Sequence, residues 1–234
     1  MVRGADLAGL AALLADETRA EMCLAMVDGR AWTARELAVH AGVAPSTASA
    51  HLDRLVAGGL LTERRQGRHR YLQLAGPAAG LVEDLVAHVP PTTTTATTLR
   101  AATVSAALAR GRTCYDHLAG RLGVTLTDAM VERGLLALDS GAALTRAGAS
   151  WLVDELGVDP AELSGGRRPL VCACLDWTER RSHLAGVSGA LLCRRLRDND
   201  WIRSVGSGRA VRPTPAGERA LHRLLGVDIA AALG

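Results

Sequence analysis

The sequence contains no lysine and no phenylalanine, so arginine supplies all 27 of its basic residues. This usage most simply reflects a GC-rich bacterial genome, and it is weak evidence of selection for guanidinium chemistry. The 24 acidic residues leave a net charge of only +3, which argues against a uniformly basic surface. Any contact with nucleic acid must therefore come from local patches of arginine.

Long apolar runs are also absent, because no stretch reaches the roughly 18 residues that span a bilayer. The N-terminal segment carries Asp6, Asp16 and Glu17 where a signal peptide would stay uncharged. Hydrophobic residues make up 48% of the 234 residues, which is enough to build real cores. We therefore expect a folded, soluble, cytoplasmic protein of two or three domains with no membrane partner.

A disulfide framework and the common catalytic motifs are missing as well. The five cysteines are odd in number and unevenly spread, as suits reduced thiols in a cytosol. They are Cys23, Cys114, Cys172, Cys174 and Cys193. Acidic and imidazole groups such as Asp116 and His117 stand outside any nucleophile elbow, phosphate loop or zinc-protease helix. We therefore expect no enzyme activity.

What the sequence does contain is a helix-turn-helix pattern in residues 33–61. Leu37, Ala38 and Ala41 fall on one face of a first short helix, and a turn follows at Gly42. A second helix begins near Pro45, whose missing N–H is tolerated in a first turn. Its apolar stripe consists of Ala48, Leu52, Leu55 and Val56. The opposite face carries short polar side chains, which can approach a groove closely.

An arginine-rich β-hairpin follows directly. Two strands in residues 60–74 are predicted to turn near Gln66 and Gly67, with Gly67 at a positive φ. The basic side chains of this hairpin are Arg64, Arg65, Arg68, His69 and Arg70. A charged edge strand also prevents aggregation. A hairpin placed directly after such a helix nevertheless favours a DNA-binding winged helix.

Residues 16–75 resemble the winged-helix domain of the ArsR family of bacterial repressors. The resemblance rests on Asp-x-Thr-Arg at residues 16–19, Ser-x-x-Ser-x-His-Leu at residues 46–52 and Arg-x-Gly-Arg at residues 65–68. It implies a homodimer that binds double-stranded operator DNA and releases it when a small effector or metal inducer binds. We accordingly expect a mainly α fold with small β-hairpin wings (α+β), with a DNA-binding and dimerisation domain at residues 1–90.

The resemblance also implies which side chains contact DNA. On the second, recognition helix these are Pro45, Ser46, Thr47, Ser49, His51 and Arg54, and on the hairpin they are Arg64, Arg65, Arg68 and Arg70. Ala50 and Asp53 depart from the family, because basic side chains are common at those positions. The preceding helix lacks the Cys-x-Cys motif of arsenic- and cadmium-type members, so their metal site is absent. Dimer contacts are expected from residues 6–16 and 81–89.

The same order of elements recurs in weaker form after a Pro- and Thr-rich linker at residues 91–98. Leu118 precedes Gly123 by five residues, as Leu37 precedes Gly42, and a helix and a glycine-containing hairpin follow. A third copy is expected around Trp201. We therefore expect degenerate winged-helix-like lobes at residues 99–164 and 165–234. The many arginines of the last lobe fit extra phosphate contacts or simply a solvated basic face.

Cysteine and histidine in these later lobes suggest a sensor site. Cys114 and His117 are three residues apart, which would place them on one face of a helix, while Cys172 and Cys174 would share one side of a strand. These four donors suit a soft ion such as zinc, mercury or arsenite if the fold brings them together. The cofactor is otherwise unknown, and we expect none to be required for folding.

A pocket for a small organic effector is the competing interpretation. Four of the six aromatic residues lie in the C-terminal lobes, and indole beside a few polar groups is a normal lining for such a pocket. These four are Tyr115, Trp151, Trp177 and Trp201. With both interpretations open, the effector candidates are Cys114, Tyr115, His117, Cys172, Cys174, Asp176, Trp177 and His183.

Overall fold

The computed structural model describes residues 3–67, 69–90, 99–138, 142–164, 166 and 168–234. The chain folds mainly into helices with small antiparallel sheets, as predicted. It divides into two compact units, residues 1–82 and 83–234. Among the described residues, no helix is both long enough and apolar enough to cross a bilayer.

The first unit has the order of elements of a winged helix. Its helices are α1 (Gly4–Leu14), α2 (Glu17–Ala25), α3 (Ala34–His40) and α4 (Pro45–Ala57), and α5 (Gly76–His88) begins in it. Its antiparallel sheet has the order β1–β3–β2 and consists of β1 (Trp32–Thr33), β2 (Leu61–Gln66) and β3 (His69–Leu74). The predicted helix-turn-helix and hairpin are therefore confirmed.

Local capping explains where the helices of this unit begin. The Asp16 carboxylate accepts a hydrogen bond from the backbone of Arg19 at the start of α2, and Thr33 and Glu36 cap α3 reciprocally. Pro45 occupies the first turn of α4, as predicted. The buried residues of α3 and α4 are Leu37, Ala38, Ala48, Leu52 and Leu55. The predicted apolar stripe therefore faces the core.

The second unit contains two copies of one pattern, in which a hairpin, a helix, a second hairpin and a second helix follow one another. After α6 (Leu99–Arg110), the first copy consists of β4 (Arg112–Cys114), β5 (His117–Ala119), α7 (Gly120–Glu132), β6 (Leu136–Ala137), β7 (Ala143–Leu144) and α8 (Arg146–Leu156). A 3-10 helix (Pro160–Leu163) precedes the second copy. That copy consists of β8 (Cys172–Leu175), β9 (Ser182–Ala185), α9 (Gly186–Asp198), β10 (Ile202–Ser204), β11 (Val211–Pro213) and α10 (Pro215–Leu225), and α11 (Ile229–Leu233) follows it.

The two copies share one hydrophobic core. Helix α7 of the first copy packs on β9 of the second, and α9 of the second copy packs on β5 of the first. Buried side chains from both copies line the core, among them Leu122, Met130 and Leu196. This exchange of helices places β5 and β9 next to each other.

The region around Gly123 differs from the sequence prediction. Gly123 lies inside α7, where the comparison with Gly42 predicted a turn between two helices. A Cβ at Gly123 would stand only 2.5 Å from the carbonyl oxygen of Leu118. Gly189 of α9 approaches the carbonyl of Leu184 at the same distance. Close packing of a helix on a strand, repeated in both copies, therefore explains these glycines.

The helix predicted to carry Cys114 and His117 is also wrong. Cys114 ends β4, His117 begins β5, and the two residues stand directly opposite each other in an antiparallel hairpin. Tyr115, between them, has a φ of 56°. A left-handed residue of this kind interrupts a right-handed helix and allows the chain to turn back. The predicted extended segment with Cys172 and Cys174 is confirmed as β8.

Gly148 of α8 and Gly217 of α10 test the duplicated packing. A Cβ would lie 2.1 Å from the Leu135 carbonyl oxygen at the first position and 2.0 Å from that of Trp201 at the second. We expect Gly148→Ala and Gly217→Ala each to lower the free energy of unfolding by at least about 2 kcal/mol, as measured by urea denaturation.

Gly80→Ala in α5 is the control, because nothing lies within 4 Å of the added Cβ. It should be neutral or should stabilise the chain by about 0.5 to 1 kcal/mol. Wild-type stability in both Gly148→Ala and Gly217→Ala would contradict the close approach.

Candidate functional site

The first candidate surface is the outer face of α4. Pro45, Ser46 and Thr47 are exposed in its first turn, and Ser49 is half-buried. Arg54, further along the helix, is exposed as well. The buried stripe faces the core, so this short-chain polar face is directed outward. A helix of this shape fits the major groove of B-form DNA.

His51 of α4 is partly engaged inside the first unit. Its Nδ1 lies 3.6 Å from Asp16 Oδ1 and 3.4 Å from Arg19 Nη1. The Arg19 guanidinium also donates to the carbonyl oxygens of Ala12 and Leu13. His51 therefore helps to fix α4 against the start of α2, and the DNA contact that the resemblance implies for it stays a prediction.

The second candidate surface is the hairpin β2–β3, called the wing below. Gly67 has a φ of 57°, as predicted for the turn. Arg64 and Arg65 are exposed, and neither forms an ion pair with any residue that the structure describes. Arg68 lies outside the described residues. The wing therefore presents at least two guanidinium groups to solvent.

Arg70 of the wing has a different environment. Its guanidinium lies 2.7 Å from Asp53 Oδ1 on α4 and donates over 2.6 Å to Glu63 Oε2 on β2. Two carboxylates therefore pair with Arg70 in the folded chain, and its contact with a phosphate stays a prediction. Asp53, which departs from the family pattern, ties the wing to the recognition helix through this arginine.

A cluster of four donor side chains forms the third candidate site, inside the second unit. It consists of Cys114, His117, Cys174 and His183, and one ligand atom of each lies within 4.8 Å of those of the others. In the hairpin β4–β5, Cys114 pairs with His117, and in the hairpin β8–β9, Cys174 pairs with His183. Each copy of the repeated pattern thus contributes one cysteine and one histidine from equivalent positions.

Cys172 is not part of this cluster, which corrects the predicted set of donors. It stands opposite Ala185 on the neighbouring strand. Cys174 is the cysteine of β8 that stands directly opposite His183. Cys172 lies two residues away along the strand, at a distance of about 7 Å. Sequence reasoning placed His183 among the effector candidates but not among the metal ligands.

The two imidazoles of the cluster face each other. His117 Nε2 and His183 Nε2 are 3.1 Å apart in the buried interior. On the far side of each ring, His117 Nδ1 lies 3.4 Å from Asp116 Oδ1 and His183 Nδ1 lies 3.2 Å from Asp176 Oδ2. A carboxylate beside Nδ1 favours a proton on that nitrogen and leaves the Nε2 lone pair directed into the cluster.

The thiols differ in their environments. Hydrogen bonding to Cys174 and burial raise the pKa of the Cys114 thiol. Burial raises the pKa of Cys23 and of Cys193 to about 11 each, which is typical of inert core thiols. Cys174 is half-buried and is therefore the more accessible cysteine of the cluster.

A buried network of charges supports the cluster. Arg112, which is 1% exposed, donates over 2.9 Å to Glu83 Oε1 and over 3.1 Å to Asp176 Oδ2. Burial alone would raise the pKa of Asp176, but His183 and Arg112 outweigh it and hold that pKa well below its usual range. Arg209 also pairs with Glu83 at 2.9 Å. Sequence reasoning missed Arg112 and Glu83, because neither belongs to a motif.

The aromatic candidates are dispersed. Trp177 Nε1 donates to Glu83 Oε1 over 3.1 Å, and the Arg112 guanidinium lies 5.0 Å from the Trp177 ring centroid. Trp151 and Trp201 pack against the hydrophobic core, and Tyr115 is 57% exposed in its turn. Trp177 therefore belongs to the buried charge network, Trp151 and Trp201 belong to the core packing, and Tyr115 belongs to an exposed turn.

Several arginines of the second copy are also paired within the unit. Arg194 pairs with Glu162, and Arg203 donates over 2.6 Å to Asp200. Arg209 pairs with Glu83, as described above. These ion pairs favour the solvated-face interpretation of the arginine-rich segment over additional phosphate contacts.

Comparison with known proteins gives a family match and a full-length relative. Residues 14–64 match the family model of a helix-turn-helix domain. Over 226 residues, 96% of this chain and 99% of the relative, the chain is 37% identical to the uncharacterized HTH-type transcriptional regulator YdfF of Bacillus subtilis. This similarity extends through the second unit.

Two solved structures are each similar to a segment that makes up 38% of this chain. The transcriptional repressor BigR from Xylella fastidiosa is 25% identical, with a TM-score of 0.35 and 92% of its own chain covered. The homodimeric winged helix-turn-helix DNA-binding domain of a possible ArsR-family transcriptional regulator from Mycobacterium bovis is 26% identical, with a TM-score of 0.32 and 89% of its chain covered.

Replacement of Asp176 tests the buried network. Asp176→Asn removes one of the two carboxylates that neutralise Arg112 while preserving side-chain volume. Because breaking a buried ion pair leaves an uncompensated charge, we expect the free energy of unfolding to fall by about 3 to 5 kcal/mol. Asp116→Asn is the matched control. Its carboxylate pairs with the more exposed Arg168, so its loss should cost under about 1 kcal/mol.

The same variant should change how stability depends on pH. Since the folded pKa of Asp176 is lowered, its contribution is complete above the usual carboxyl pKa of about 4 and is lost as the pH falls below it. Urea denaturation at a series of acidic pH values should therefore show a steeper loss in the wild type than in Asp176→Asn. Parallel profiles would contradict the assignment.

Proposed function

We propose that this chain, which belongs to the HTH-type transcriptional regulators, is an ArsR-like winged-helix repressor that binds operator DNA as a homodimer and releases it when an effector binds. As a regulator of transcription it acts on chromosomal DNA in the cytoplasm. The observation that carries the proposal is that an outward polar face on α4 adjoins a wing with two exposed arginines, Arg64 and Arg65.

The recognition helix and the wing contact different parts of the DNA. The short side chains of Ser46 and Thr47 lie at the N-terminal end of α4, where they reach base edges in the major groove. Arg64 and Arg65 on the wing neutralise backbone phosphates or enter the minor groove. The ion pair between Arg70 and Asp53 fixes the distance from wing to helix.

A homodimer is supported by the composition of α1. This helix contains four leucines, four alanines and two glycines, yet none of its residues is buried within the chain. Leu7 is 64% exposed. An apolar helix of this kind is stabilised by a second apolar surface. We assign α1 to the contact between two copies, which would then read two half-sites about one helical turn apart.

Salt dependence of DNA binding tests the wing. Arg64→Ala combined with Arg65→Ala should weaken binding to duplexes of any sequence. The slope of log K against log salt should become shallower by about 2, since each neutralised phosphate contributes about 0.9. Fluorescence anisotropy of a labelled duplex across a salt titration measures this slope.

Arg223→Ala is the control for loss of positive charge, because Arg223 is exposed on α10 in the second unit. It should leave the slope unchanged. A double wing variant with the wild-type slope would refute the role of the wing, and equal effects of both changes would point to a non-specific charge effect.

Disruption of α1 tests the dimer. Leu7→Glu places a charge in the centre of the proposed contact and should convert the dimer to a monomer in sedimentation velocity. Affinity for an inverted-repeat duplex, selected from a random pool with the wild type, should fall sharply because one half-site is lost. Val205→Glu, at an exposed apolar position in the second unit, should change neither result. A Leu7→Glu protein that remains dimeric would remove α1 from the interface.

A further inference from the structure

We propose that Cys114, His117, Cys174 and His183 form a tetrahedral site for one thiophilic divalent ion of the zinc class, and that this ion is the effector that releases DNA. The binding of the ion is independent of the function proposed above. Its role as effector rests on that function. The two parts therefore have separate tests.

The four donors come from equivalent positions in two hairpins. Each hairpin holds a cysteine directly opposite a histidine, and the neighbouring positions of β5 and β9 bring the two pairs together. Backbone pairing in two separate hairpins thus fixes four donors around one point. Ordinary packing of small apolar cysteines would not require histidine at both opposed positions.

The distances between the donor atoms are close to those of a tetrahedral zinc site. Zinc–nitrogen bonds of about 2.0 Å and zinc–sulfur bonds of about 2.3 Å imply tetrahedral edges of about 3.3 Å between nitrogens and about 3.8 Å between sulfurs. His117 Nε2 and His183 Nε2 are 3.1 Å apart, and all four donor atoms lie within 4.8 Å of one another. Side-chain movements of about 1 Å complete the coordination sphere.

The lone pairs of the two imidazoles are arranged to hold a cation. Asp116 and Asp176 stand beside the Nδ1 atoms, so both Nε2 lone pairs are directed at each other across 3.1 Å. Two facing lone pairs repel unless a proton or a cation lies between them. Carboxylates behind metal-binding histidines are the usual means of fixing the tautomer and the orientation of the ring. Both histidines of this cluster have one.

The donor set selects the ion. Thiolate and imidazole favour zinc and other thiophilic ions over magnesium or calcium, which prefer oxygen. Binding forms two metal–sulfur and two metal–nitrogen bonds and releases the two thiol protons to solvent. The two thiolates then balance the charge of a divalent ion, which suits a buried site. Four protein ligands leave no open position for water or substrate, as in structural zinc sites and unlike catalytic ones.

A chain of contacts leads away from the site. His183 faces Asp176, Asp176 pairs with Arg112, and Arg112 pairs with Glu83 on α5. Helix α5 begins at Gly76, within the first unit. Rotation of His183 toward an ion therefore acts, through two buried ion pairs, on a helix that continues from the DNA-binding unit. An effector must favour one of two states of such an element.

Titration of the metal alone tests the site. The full chain, freed of any affinity tag, kept reduced and stripped with a chelator, is titrated with Co²⁺ as a spectroscopic substitute for Zn²⁺. We expect one ion per chain, intense visible absorption typical of tetrahedral Co²⁺, and a near-ultraviolet band from thiolate-to-metal charge transfer. Zn²⁺ should displace the Co²⁺ and bleach both.

Serine variants identify the ligands. Cys174→Ser and Cys114→Ser should each weaken Zn²⁺ binding by more than the roughly 10- to 100-fold that loss of a supporting residue causes. Circular dichroism shows whether each variant is folded. Cys172→Ser, on the same strand as Cys174, is the matched control and should bind like the wild type. No stoichiometric binding, weak octahedral-type absorption, or equal losses in Cys172→Ser and Cys174→Ser would each overturn the site.

Measurement of DNA affinity tests the effector role. Saturating Zn²⁺ should weaken binding of the wild type and of Cys172→Ser to the selected duplex by about tenfold or more, and should leave Cys174→Ser unaffected. Stoichiometric Zn²⁺ binding with unchanged DNA affinity would overturn the effector role alone. The chain could instead bind Co²⁺ tetrahedrally and yet, when free of metal, bind no DNA. That result would refute the proposed repressor function but would not affect the metal site.

Discussion

The fold of the second unit depends on a buried guanidinium group. Arg112 lies between the carboxylates of Glu83 and Asp176, and all three side chains are almost fully buried. A buried charge costs several kcal/mol unless opposite charges and hydrogen bonds compensate it. Here the compensation joins segments that are far apart in sequence, since Glu83 is on α5, Arg112 is on β4 and Asp176 follows β8. The orientation of His183, and with it the donor cluster, is set by this arrangement.

In the first unit, local sequence signals were sufficient to predict the helix-turn-helix and the hairpin. Cap residues, Pro45 in a first turn and Gly67 at a positive φ act within a few residues of their own position, so their effects can be read without tertiary information. The role of Arg70 could not be read in this way. An arginine beside a wing turn resembles a phosphate contact, and only the folded chain brings Asp53 of α4 within 2.7 Å of it.

The second unit shows the limit of spacing arguments. Residues three apart in the sequence share a face of a helix, but they can also stand opposite each other across a two-residue turn. Cys114 and His117 adopt the turn, because Tyr115 between them has a left-handed backbone conformation. A better signal was present in the sequence. The string HLAG occurs at residues 117–120 and again at 183–186, and aligning the two copies on it equates His117 with His183. The strand pairing of Cys174 with His183 in the folded chain then makes Cys174, and not Cys172, the equivalent of Cys114.

The duplication also explains why the cluster has four members. One copy alone supplies a single cysteine and a single histidine, which is half of a tetrahedral site. The packing of α7 on β9 and of α9 on β5 brings the second half into place. In the proposed site an ion would therefore bind only the assembled pair of copies and would stabilise it by about 2.7 kcal/mol at a hundredfold excess over its dissociation constant. A ligand that tightens the contact between two repeats acts on their relative position, and Asp176 and Arg112 stand where such a change passes to α5.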